Sequence, residues 1–241
     1  MATTSAPERP TRPRRSGFLL DLYRSALGKK YLMAVSGIVG LGYVLAHMLG
    51  NLKLYQSAED FNAYAAFLRR LLYPILPESG TLNLLRLVLI AALVVHVVSA
   101  YQLTVMNRKA RPDRYKAPRD YVVADFAART MRWTGVIVLL FIGYHLADLT
   151  FGWVNPAPSG STPYEKVIAS FSSIPVAAFY LVANTALGFH LYHGTWSLFQ
   201  SMGWNNRRFN HLRRSFAMGF TLLVVGGNLS FPIAVQLGII S

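Results

Sequence analysis

Five apolar stretches, residues 31–49, 82–106, 130–151, 175–201 and 215–237, limit what this chain can become. At 1.5 Å per residue each is long enough to cross roughly 30 Å of hydrocarbon. Inside lipid every backbone N–H and C=O must be paired within the protein, and a helix achieves this within a single segment. With 53% hydrophobic and 14% charged residues, the apolar side chains come in blocks, not in the narrow periodic faces of a soluble core. The expected fold is therefore all-α: a polytopic membrane protein whose five transmembrane helices form one bundle, spanning residues 25–241. Residues 1–24 are expected to be a disordered cytoplasmic tail and not a cleaved signal peptide, because residues 1–16 are rich in Pro, Ser, Thr and Arg with no apolar core.

The net charge of +14 invites a nucleic-acid reading until the cations are placed on this topology. Nineteen of the 24 Lys and Arg residues fall in the N-terminal flank, the second-to-third connection with its flanks and the fourth-to-fifth connection. Only Lys53, Arg69, Arg70, Arg86 and Lys166 fall on the other side. This asymmetry follows the positive-inside rule and predicts a cytoplasmic N-terminus and an external C-terminus. Topology alone explains the charge, so no nucleic-acid partner is expected. There is no cysteine, which excludes disulfides, iron–sulfur clusters held by this chain and thioether-attached haem.

Four histidines, His47, His96, His145 and His193, lie one apiece in the first four apolar stretches. An imidazole in hydrocarbon is costly unless partnered, which makes each a functional candidate. From the predicted ends, His47 lies about 5 Å and His145 about 10 Å from the outer edge, while His96 lies about 15 Å and His193 about 12 Å from the cytoplasmic edge. The four thus fall into an outer and an inner layer, separated by on the order of 10 Å within about 30 Å of hydrocarbon. Zinc and copper sites usually gather three or four protein ligands, whereas each layer offers two. Two axial imidazoles from facing helices suit haem, whose porphyrin fills the equatorial positions. The expectation is two b haems, with His47 and His145 on the outer iron and His96 and His193 on the inner. His190 competes with His193 because residues three apart share a helix face. Gly37, Gly40, Gly42, Gly135, Gly143, Gly188 and Gly194 are candidates for making room on the ligand-bearing helices.

Ser57 followed by Asp60 marks a helix start, and residues 58–73 read as an amphipathic helix on the outer interface, stopped by Pro74. A short helical turn is expected near residues 165–171. Asp148 is the sole acid within the five stretches and is a candidate quinone or proton-pathway residue; the simpler reading is a carboxylate bonding a helix end or Tyr144.

The motifs Ser25-x-x-Gly28-Lys29-Lys30, His47-x-x-Gly50-Asn51, Phe61-Asn62-x-Tyr64 and His190-x-x-His193-Gly194-x-Trp196-Ser197-x-x-Gln200-x-x-Gly203-Trp204 resemble the di-haem cytochrome b subunit of succinate dehydrogenase and fumarate reductase. The resemblance runs from Leu22 onward. It implies a five-span anchor in a bacterial cell membrane that binds a flavoprotein subunit and an iron–sulfur subunit on the cytoplasmic side. It also implies electron transfer through two b haems to a quinone, commonly menaquinone, and it carries the same four ligands over by position. Trp196, Ser197, Gln200 and Trp204 would lie near the inner haem edge, where Trp is equally expected in the aromatic belt, and the basic run from Arg108 to Arg119 would signal topology by default, or else face propionates or the iron–sulfur partner. One departure matters. Some fumarate reductases of this group have a glutamate two residues before the fourth ligand, where this chain has Leu191. Two other readings compete: a proton-coupled transporter, which predicts broken helices and an internal repeat, and a haem-free anchor. Neither a repeat nor mid-span breaks are evident in the sequence.

Overall fold

The computed structural model of the protein describes residues 17–110, 124–204, 206 and 208–241. Among these the chain is helical without strands, in eight α-helices, five of them long and apolar enough to cross a membrane. The spans are α2 (Ala26–Asn51), α4 (Gly80–Ala110), α5 (Ala124–His145), α7 (Ile174–Ser201) and α8 (Asn210–Gln236). Short helices α1 (Phe18–Arg24), α3 (Ala58–Arg70) and α6 (Pro163–Ser172) complete the set. A 3-10 turn, Leu52–Tyr55, extends α2, and a π turn, Leu146–Thr150, extends α5. All five expected spans are present, most of them a few residues longer than their apolar blocks.

The expectation of a disordered tail through residue 24 needs correction, because α1 occupies its last turns. Ser25 ends α1 and caps α2, its Oγ accepting from the Gly28 N–H at 2.9 Å. A Cβ on Gly28 would run into the Leu22 carbonyl, so glycine is what lets α1 fold back so closely. Buried Lys29 then donates to Gln102 Oε1 at 2.6 Å and lies 4.3 Å from the centre of the Tyr23 ring, tying α1, α2 and α4 together. The first motif thus has a local structural duty. Residues 1–16, and residues 111–119 of the basic run, lie outside the described residues.

Helix α3 begins as expected, with Ser57 Oγ accepting from the Asp60 N–H at 3.0 Å, but it stops at Arg70 instead of reaching residue 73. Leu71 already leaves helical geometry with a ψ of 125°, and Leu72 follows with a left-handed φ of 64°, so the helix ends before Pro74 is reached. Helix α6 is longer than the expected turn and opens with a reciprocal capping box between Thr162 and Glu165. Asn62 Oδ1 accepts from the Tyr164 N–H at 3.1 Å, joining α3 to α6. Beneath these two helices lies a compact apolar cluster, including Leu54, Phe61, Phe171, Tyr180, Phe231 and Val235. The densest packing therefore closes one end of the bundle.

Along the spans the helices associate as neighbours: α2 with α4, α5 with α7, and α7 with α8. The α2/α4 and α5/α7 pairs meet mainly through α2 and α7. Gly188 sits against Val225 and Thr221 at the α7/α8 contact, and Gly227 of α8 receives Met48 of α2. These close approaches fix how α7 and α2 are rotated about their own axes.

Candidate haem-ligand pairs

His47 of α2 and His145 at the end of α5 face each other with ring centroids 5.8 Å apart and planes at 89°. His96 of α4 faces His190 of α7 at 6.2 Å and 64°. Each pair therefore bridges the two helix pairs. The structure brings His47 and His145 together as the sequence suggested, but the partner of His96 is His190. His193 instead lies 6.2 Å from Trp196, ring to ring. Sequence spacing leaves the two imidazoles equivalent; in the structure it is His190 that faces His96.

The glycines locate the layers. A Cβ on Gly37 would lie 3.6 Å from His96 Cε1, and one on Gly135 would lie 3.4 Å from His190 Cε1. Gly37 precedes His47, and Gly135 precedes His145, by the same ten residues. Along both helices the two layers are thus about 15 Å apart in rise, farther than the order of 10 Å expected from the sequence. Of the other candidate glycines, Gly40, Gly42 and Gly143 face open space, Gly188 serves helix packing, and Gly194 lies near Met131.

Neighbouring groups define which nitrogens are free. His96 Nδ1 lies 3.1 Å from the Met33 carbonyl and 3.3 Å from Ser36 Oγ. A carbonyl can only accept, so Nδ1 carries the proton and Nε2 keeps its lone pair. His145 Nδ1 lies 3.4 Å from the Tyr180 hydroxyl. His190 Nδ1 faces the Met131 backbone without closing a hydrogen bond of ordinary geometry, and His193 Nδ1 is also buried without a partner. Tyr43 stacks on His47 at 5.4 Å, and Phe141 flanks His145 at 5.7 Å.

Whether haem fits can be judged from the imidazoles. A metal–imidazole bond of about 2 Å on each side of one ion would hold two coaxial rings with centroids roughly 6 Å apart. Both pairs meet that spacing. Among the described residues no group of three or more His, Asp or Glu side chains gathers at one point, so a metal in either pair takes its remaining ligands from elsewhere, as a porphyrin provides. All four histidines are only partly buried although they lie within spans. The donor set and the spacing fit haem.

Asp148 has no accessible surface. Its Oδ1 accepts from Asn155 Nδ2 at 2.7 Å, and its Oδ2 accepts from Tyr180 Oη at 2.8 Å and from Ser170 Oγ. The carboxylate thus ties the π turn to α6 and α7, and its phenolic partner is Tyr180 where Tyr144 was the expected alternative. Tyr180, Ser170, Asn155 and Met33 were not singled out in the sequence. The available signal was weak: Tyr180 and Asn184 are polar groups within an apolar span.

Fold and site together define a class, a five-span helical membrane protein with two imidazole pairs stacked along one seam. Compared with protein-family models, curated proteins and solved structures, the chain matches none.

Proposed function

We propose that the chain is the membrane-anchor cytochrome b subunit of a bacterial succinate:quinone oxidoreductase, holding two b haems and delivering electrons from an iron–sulfur subunit to a quinone, menaquinone by the resemblance. The observation that carries this reading is the pair of facing imidazole sets, His47 with His145 and His96 with His190, at separations suited to one metal ion each. Haem, when bound, would supply reversible one-electron chemistry that the side chains lack.

The chain's own residues supply the rest. His47 and His145 would hold the outer group, His96 and His190 the inner one, with His193 as a neighbour of the inner group. The Met33 carbonyl keeps His96 in the tautomer that presents Nε2, a common arrangement for ligating histidines. Gly37 and Gly135 allow His96 and His190 to lie against neighbouring helices without displacement. The cluster under α3 and α6 would close the outer end of the bundle. Asp148 would be a support for the outer site instead of a direct quinone contact. The cationic flanks would face the cytoplasm and receive the flavoprotein and iron–sulfur subunits, leaving the C-terminus outside.

The direct test is purification from native membranes in mild detergent. The chain is expected to come with a flavoprotein and an iron–sulfur subunit, and the assembly to reduce a quinone analogue with succinate as donor. Purification alone, or with partners that do not oxidise succinate, would refute the assignment.

A further inference from the structure

We infer that Tyr180, anchored by Asp148, is a positioning residue for His145 that loads carboxylate character onto this ligand and sets the outer haem's potential apart from the inner one. The inference rests on the haem-holding reading above. It starts from the direction of one proton. Asp148 receives three hydrogen bonds, from Asn155, Ser170 and Tyr180, and among the described residues no cation forms an ion pair with it. A carboxylate accepts, so the Tyr180 hydroxyl donates to it at 2.8 Å. The phenol oxygen then has lone pairs to offer, and His145 Nδ1 stands 3.4 Å away. The order His145 N–H to Tyr180 O–H to Asp148 is the one arrangement of protons that leaves Nε2 of His145 free.

Among the described residues the inner pair has no such chain. His96 Nδ1 meets a neutral peptide carbonyl and a serine hydroxyl, and His190 Nδ1 has no ordinary partner. Two imidazole pairs that look alike in spacing are therefore supported by groups of different charge. A carboxylate behind a ligating imidazole raises its basicity and favours the more positive state of the metal, an effect that low dielectric amplifies. Tyr180 transmits this influence because its hydroxyl touches both groups. It also fixes the ring position: Tyr180 is buried and packed edge-to-face on Phe141 and Phe171, with centroids at 5.1 and 4.9 Å.

The experiment is an optical redox titration of the intact complex with Tyr180→Phe and, separately, Asp148→Asn. Phenylalanine keeps the packing and removes the hydrogen-bonded link through Tyr180; asparagine keeps an acceptor and removes the charge. Both variants are expected to move one of the two haem midpoint potentials upward and leave the other in place. Two unshifted midpoints in both variants would overturn the inference, as would loss of the outer haem in Tyr180→Phe with no shift in Asp148→Asn. A wild-type complex without haem would overturn the functional reading on which it stands.

Discussion

His96 and His190 face each other at 6.2 Å although their helices, α4 and α7, are not principal packing partners. The contact is made by side chains reaching across a seam, and it selects one imidazole from a pair that shares a helix face.

His190→Ala is accordingly expected to remove the inner haem and leave the outer one, halving haem per chain. His193→Ala should retain both. Haem content by the alkaline pyridine method, with spectra of each variant, checks this; loss of a haem only in His193→Ala would reverse the assignment.

The spans were legible because uninterrupted apolar blocks admit few alternatives in lipid, and the layering followed from counting along them. Which imidazole faces His96 was not, since that depends on contacts between helices that no local pattern carries. Asp148 stood out as a lone acid, but Tyr180 and Ser170 reach it from 32 and 22 residues away, and no local pattern signals such pairings. The extent of α3 was missed for a local reason: Leu72 adopts a positive φ that a leucine does not advertise.

Gly135→Leu should displace His190, because a Cβ there already stands 3.4 Å from Cε1 and a branched side chain needs more room. The expected result is a fall in inner-haem occupancy, with outer-haem occupancy kept.

Asp148→Ala would leave the Tyr180, Ser170 and Asn155 donors without their buried acceptor. Stranded donors cost about 1–3 kcal/mol each, reduced where they find other partners, so the variant should be destabilised by roughly 2–5 kcal/mol. Thermal unfolding in detergent, followed by circular dichroism, measures it; an unchanged midpoint would contradict the buried network.

Gly28→Ala should loosen α1 from α2, since any Cβ meets the Leu22 carbonyl. Limited proteolysis of the purified protein is expected to cut faster around Arg24 in the variant. Equal rates would mean that the tight turn is not what holds α1.

The central claim is that two facing imidazole pairs each hold one haem, and a reduced-minus-oxidised visible spectrum with quantified haem tests it most directly. Two b-type haems per chain are expected, falling to one when either His145 or His190 is replaced by alanine. A colourless wild-type protein, or a single haem unaffected by both replacements, would contradict the account.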